Sequence, residues 1–288
     1  MASAIENLIS YLELHAEGVD RFVGQSPQTG RQRVFGGQVI GQAMYAAAQT
    51  VPNGRNIHSL HCYFIRPGDP TVPIEYRVDR LRDGRSFSTR QVTAWQHGFA
   101  IYSLSASFQE PDDGLEFQVT MPEGIPEPES LMSEEAFVNQ FGDRVSPSVK
   151  AYWRRERPIE LRPVGMEHYI SKEPLEPVQK VWVRPTGPVP DSPLVRSAVL
   201  AYLSDMTLLD TSLFAHGRSI FDPSLQVASI DHAMWFHRAH ALDDWLLYIQ
   251  DSPSTSGSRG FTRGEFFSRD GILVASTTQE GLIRHRHR

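Results

Sequence analysis

The stretch Phe87-Ser-Thr-Arg-Gln-Val-Thr-Ala-Trp95 alternates between apolar and polar residues, breaks at His97-Gly98 and resumes as Ile101-Tyr-Ser-Leu-Ser-Ala-Ser-Phe108. Phe261-Thr-Arg-Gly-Glu-Phe-Phe267 starts in the same way, breaks at Asp270-Gly271 and resumes as Ile272-Leu-Val-Ala-Ser-Thr-Thr-Gln279. Period-two alternation bounded by a glycine turn is the pattern of a β-hairpin. Thr89 and Thr262, Arg90 and Arg263, and Gly98 and Gly271 each stand 173 residues apart. A single offset held across a whole hairpin marks an internal repeat.

Working outward, the same offset places Ile57 on Ile230, His58 on Asp231 and Tyr63 on Phe236, which adds an earlier strand to each half. In the second half that strand is expected over residues 226–237, rich in β-formers and flanked by turns. A largely apolar helix is expected ahead of each strand, over residues 37–50 and 192–203, the second opened by Ser192 and Pro193. A buried helix followed by antiparallel strands, twice over, gives an α+β fold in which each sheet wraps a central helix. Between the halves, Pro122-Glu-Gly-Ile-Pro-Glu-Pro128 cannot run as a central strand or helix. The expected organisation is a first unit over 1–120, a proline-rich linker over 121–150 and a second unit over 151–288.

Composition narrows the function. The chain has 288 residues, 40% hydrophobic and 22% charged, with a formal charge of −6. That balance provides no global positive field for nucleic acid. One cysteine, Cys62, makes neither an internal disulfide nor a structural zinc site. The start lacks a basic segment followed by an apolar core, and no apolar run approaches the ~18 residues of a membrane span. A cytoplasmic protein with no membrane span is the expectation. The basic tract at 284–288 reads as a solvated tail.

The usual catalytic signatures are missing. There is no Gly-x-Ser-x-Gly elbow, no phosphate-cradling glycine loop and no paired-cysteine or His-Glu-x-x-His metal pattern. Neighbouring strand residues face opposite ways, so His61 and Cys62 form no dyad and His232 is turned from Asp231 and His237. What stands out is polarity where the pattern predicts burial: Asp205 directly after the second apolar helix, Ser229 inside a strand, Gln279 in the last strand. Taken singly, each reads more readily as ordinary polarity than as catalysis: Asp205 as a helix C-terminal residue or the start of a turn, Ser229 and Gln279 as strand residues facing solvent. Converging on one point, an aspartate, a hydroxyl and a carboxamide would orient a water, with the aspartate as general base.

Several long strings carry a family resemblance. They are Phe35-Gly-Gly-Gln-Val-Ile-Gly-Gln-Ala43, His58-Ser-Leu-His-Cys-Tyr-Phe-Ile-Arg-Pro-Gly68, Leu81-Arg-Asp-Gly-Arg-Ser-Phe-Ser-Thr-Arg90, Ile230-Asp-His-Ala-Met-Trp-Phe-His-Arg238, Arg259-Gly-Phe-Thr-Arg-Gly-Glu265 and Thr278-Gln-Glu-Gly281. In these, and over essentially its whole length, the chain resembles the acyl-CoA thioesterase II (TesB-type) family with the double hotdog fold. The resemblance implies hydrolysis of medium- to long-chain fatty acyl-CoA to free acid and coenzyme A, with no cofactor and no metal. It assigns the catalytic set to Asp205, Ser229 and Gln279, with Ser229 where the bacterial pattern has threonine. His58 matches a histidine discussed as functional in the family and is held as a support candidate. Arg66, Arg259 and Arg263 are candidates for the coenzyme A phosphates. With Ala106 at the position repeating Gln279, one active site per chain is expected. Exposed sheet edges make a homo-oligomer the expected assembly. Two other readings remain: a dehydratase or hydratase using His58 or His61 as base, and a non-catalytic acyl-CoA-binding protein.

Overall fold

In the computed structural model of the chain, residues 2–27, 32–144, 147–153 and 155–286 are described. The last two residues of the basic tract at 284–288 lie outside them. The chain opens with α1 (Ala4–Leu12), whose Ser3 and Glu6 form a capping box. It buries Ile5, Leu8, Ile9 and Leu12, one stripe at helical spacing. Two short strands follow, β1 (His15–Gly18) and β2 (Arg21–Gly24). The first half then runs α2 (Gly36–Ala48), β3 (Asn56–Phe64), β4 (Ile74–Asp83), β5 (Phe87–Gln96) and β6 (Phe99–Gln109). Both His97 and Gly98 have positive φ, as the tight turn between β5 and β6 requires.

The connection starts at the end of β6 and carries α3 (Glu134–Phe141) and α4 (Pro147–Trp153). Its first part, without regular structure, lies along the second half. The Gln118 amide donates to Gly271 O at 2.7 Å, and Trp182 Nε1 donates to Pro126 O at 2.9 Å. After β7 (Ile159–Pro163) and β8 (Val178–Pro185) comes α5 (Pro193–Ser204), with Ser192 Oγ accepting the Val195 N–H. The remaining elements are α6 (Thr211–Phe214), β9 (Leu225–Ser229), β10 (Asp231–Phe236), β11 (Leu246–Ser256), β12 (Arg259–Ser268) and β13 (Leu273–His285).

One sheet runs β1-β2-β4-β5-β6-β3-β10-β13-β12-β11-β8-β7, with β9 added to β13. The order is symmetric about the β3–β10 junction, so each half is a hotdog: an antiparallel sheet around its own helix, α2 or α5. A single hydrophobic core runs through both halves, drawing Ile40, Met44, Leu60 and Leu104 from the first and Val199, Leu203, Met234 and Phe266 from the second. The architecture is the α+β double hotdog.

The strand expected over 226–237 is two strands. β9 pairs only with β13, Ser229 opposite Gly281, whereas β10 lies between β13 and β3, Ala233 opposite both Thr278 and His61. The two registers on β13 differ by one residue, which makes Ile230 a bulge. Its N–H donates to Glu280 O and its carbonyl accepts from the Phe64 N–H, so the backbone stays bonded through the shift.

Candidate active site

The bulge sits next to Ser229 and decides where that side chain points. Three elements converge there: the end of α5, the end of β9 and the middle of β13. Asp205 is the C-terminal cap of α5. Its Oδ2 accepts the backbone N–H of Gly37 at 2.8 Å, a donor from the first turn of α2 in the other half. Its Oδ1 accepts Gln279 Nε2 at 2.9 Å and faces Ser229 Oγ at 3.4 Å. The same Gln279 Nε2 donates to Ser229 Oγ at 2.6 Å. Asp205, Ser229 and Gln279 are thus brought together as the pattern predicts.

The close approach of α2 depends on glycine. A Cβ on Gly36 would lie 2.6 Å from Asp205 Oδ2, and one on Gly37 would overlap the carbonyl oxygen of Tyr202 on α5. Only residues without side chains let the N-terminus of α2 reach the carboxylate. The helix dipole there favours negative charge.

Several residues to which the sequence assigned no role support the site. Buried His232 bonds Ser204 Oγ through Nε2 at 2.9 Å. Burial holds its imidazole down at about 4, against an upward pull from the Gln279 side chain. His232 is therefore neutral at neutral pH and links the end of α5 to β10, the neighbour of the strand carrying Gln279. Tyr248 OH donates to Ser204 O at 2.7 Å from below. Thr207, two residues past Asp205, takes a left-handed φ of 63°, and Gln250 Nε2 donates to its Oγ1 at 2.7 Å. A left-handed threonine is strained, and such strain gathers at functional sites. The signal for His232 was its place in a strand position that must be buried, where a polar ring needs partners.

In front of the trio opens a cavity of about 630 Å³, lined by both halves. Val34, Phe35, Gly36, Phe64 and Ile101 come from the first half; Met206, Leu209, Ile220, Val227 and Ser229 come from the second. Its volume and mostly apolar lining suit a small-molecule ligand. Arg66 lines it, as do Arg33 and Arg157. The other candidates lie elsewhere. Arg259 pairs with Glu280 at 2.8 Å and Arg263 bonds Asp251 through Nε at 2.9 Å, both outside the cavity lining. His58 bonds Ser107 Oγ at 2.8 Å and lines a separate cavity of about 340 Å³. His61 packs edge-on against Trp235. Cys62 is buried, and burial raises its thiol far above the usual range. Among the described residues no cluster of three or more His, Cys, Asp or Glu is placed to hold a metal.

The sequence profile of the acyl-CoA thioesterase family matches residues 148–282, and that of the acyl-CoA thioesterase N-terminal domain matches residues 25–109. The chain belongs to the acyl-CoA thioesterase II (TesB-type) family. This acyl-CoA thioesterase is 42% identical to acyl-coenzyme A thioesterase 8 of Rattus norvegicus over 265 residues, 89% of this chain and 82% of the relative. It is 38% identical to acyl-CoA thioesterase 2 of Haemophilus influenzae over 284 residues, 99% of each chain. Among solved structures, the acyl-CoA thioesterase II TesB2 of Mycobacterium marinum superposes with a TM-score of 0.79 at 37% identity, over 97% of this chain and 98% of that one. The dehydratase domain of PpsC from Mycobacterium tuberculosis has a TM-score of 0.52 at 9% identity, over 95% of this chain and 99% of that one. That last likeness is of fold alone. The thioesterase is a thioester hydrolase with acyl-CoA as substrate.

Proposed function

We propose that this thioesterase hydrolyses medium- to long-chain acyl-CoA by direct attack of a water held by Asp205, Ser229 and Gln279. The observation that carries the reading is the fork at Gln279, whose Nε2 reaches both Asp205 Oδ1 and Ser229 Oγ. With Gln279 and Gly37 fixing the carboxylate, Asp205 takes a proton from the water as its oxygen bonds the thioester carbon. Among the described residues no acceptor takes the N–H of Gly36, which lines the cavity beside Asp205. That donor, at the positive end of α2, is placed to stabilise the developing oxyanion. Collapse breaks the carbon–sulfur bond, and the proton on Asp205 passes to the departing thiolate. The products are the free acid and coenzyme A, and Asp205 returns to its ionised form.

The placement of His58 and His61 away from the cavity argues against a dehydratase, which needs an imidazole base beside the substrate. The test is thiol release from acyl-CoAs of graded length by the wild type and by the Asp205→Ala and Gln279→Ala variants. Folded variants with wild-type turnover would sink the reading. Mass spectrometry of enzyme quenched during turnover separates the routes, since an acyl adduct on Ser229 or Asp205 would replace water attack by covalent catalysis. The reading includes one site per chain, a homo-oligomer and a cytoplasmic setting, to be checked by active-site titration, light scattering and cell fractionation.

A further inference from the structure

Asp210 is a second carboxyl in the active-site cavity, and the mechanism does not use it. The left-handed turn at Thr207 starts a single 3-10 turn over Leu208–Asp210, closed by the Asp210 N–H on Thr207 O at 3.1 Å. That turn sends Leu208 into the core, sets Leu209 over Gly281 and brings Asp210 to the cavity wall. Asp210 is 9% exposed. Its side chain does not cap α6, which it precedes, and no donor among the described residues bonds its carboxyl. A buried carboxylate without a partner is costly. Burial first, then the charge of Asp205, push its pKa up to about 7.

The two walls of the cavity differ. All three cations in the lining, Arg33, Arg66 and Arg157, come from the first half and the connection, where they sit among apolar Val34, Phe35, Phe64 and Ile101 and suit the anionic phosphates of coenzyme A. The second half supplies Met206, Leu209, Ile220, Val227 and Ala228, with Asp210 among them. A thioester whose carbonyl sits at Asp205 and whose phosphates meet the arginines has its acyl chain on the Asp210 side. Resting on the water-attack reading above, we propose that Asp210 is a specificity-determining residue: an unsubstituted acyl chain long enough to cover it binds with uptake of one proton, and a short chain does not.

The step balances simply. A proton from solvent adds to the Asp210 carboxylate, and the apolar chain then covers a neutral acid instead of a charge. Other charges on the elements around it are accounted for. Asp205 acts on it from the end of α5. On β12 and β13, which pack against this turn, Arg259 pairs with Glu280 and Arg263 with Asp251 of β11, and the other charged or titratable groups of those two strands are Glu265, Arg284 and His285. Arg218 pairs with Asp222 in the loop before β9.

The experiment measures KM for butanoyl-CoA and for hexadecanoyl-CoA from about pH 6 to about pH 8.5, in the wild type, Asp210→Asn and Asp210→Leu. Taking the ratio of the two KM values cancels the titration of Asp205, which both substrates share. In the wild type the ratio of long-chain to short-chain KM is expected to rise about tenfold across this range. In both variants it is expected to be flat. A wild-type ratio that does not change with pH overturns the proposal, as does a variant that keeps the wild-type slope. Thermal melts establish that each variant is folded, and either folded variant suffices. If Asp205→Asn is inactive while the ratio stays flat, only this inference falls; if Asp205→Asn is fully active, the water-attack reading falls with it.

Discussion

Asp205 has both oxygens committed to N–H donors, one from the Gly37 backbone and one from Gln279. An Asp205→Asn substitution removes the general base of the proposed mechanism and also sets an amide N–H against one of those donors. Activity should fall by at least about a hundredfold, measured as thiol release, with some loss of stability seen in the melting temperature. Ser229→Thr keeps the hydroxyl and should stay within a few fold of wild type, whereas Ser229→Ala leaves Gln279 held only by Asp205 and should lose about tenfold. Asp210 permits a prediction on stability. Its folded pKa of about 7 lies above the ordinary carboxylate value. The contribution of the protonated acid is therefore intact at low pH and is lost as pH rises from about 4 through about 7, where the unfolded chain has already released its proton. Urea unfolding of the wild type and Asp210→Asn should show the variant gaining relative stability between pH 5 and pH 8. An equal difference at both values would show that Asp210 does not titrate on folding.

At the level of elements, the contact that makes the site is the N-terminus of α2 against the end of α5. Gly37→Ala should force the helices apart, costing about 2–4 kcal/mol, within the range of other overpacked and strained sites, and most of the activity. Denaturation and thiol release on the same preparation check this. A fully active, equally stable Gly37→Ala would mean that the close approach is dispensable. Much of this was legible in the sequence. The repeat at an offset of 173 located both hairpins because alternation and glycine turns are local properties, and the three polar residues were singled out by their places in apolar elements. The break at Ile230 was not legible, since a bulge leaves composition and alternation almost untouched and is set by partners on β13 and β3. Nor could one residue type at equivalent positions reveal two fates. Arg90 is fully buried, bonding the Thr50 hydroxyl, Asp83 and three backbone carbonyls, while its repeat partner Arg263 lies at the surface with Asp251. Arg90→Ala should strand those acceptors and cost about 3–5 kcal/mol, whereas Arg263→Ala should cost under about 1 kcal/mol.

Over the whole molecule, the two hotdogs share one sheet through β3 and β10 and one core through α2 and α5. Neither residues 1–120 nor residues 121–288 should fold alone, because each would expose an open sheet edge and one side of a largely buried helix. Circular dichroism of the separate halves and thiol release after co-expression check this; a soluble, cooperatively melting first half would contradict it. The helix and strand of the first half are joined by residues 49–55, those of the second by residues 205–230. That longer excursion holds Asp205, Thr207, Asp210, α6 and Ser229, so two members of the proposed catalytic set lie in a segment that the first half lacks. Gly37 gives the arrangement an order in time. During synthesis its N–H emerges 168 residues before the carboxylate it will hold, and Gln279 emerges 74 residues after that carboxylate. On the water-attack reading no thiol release is expected from a nascent chain until Gln279 has emerged and the two halves have met, so that the onset of activity would report their docking.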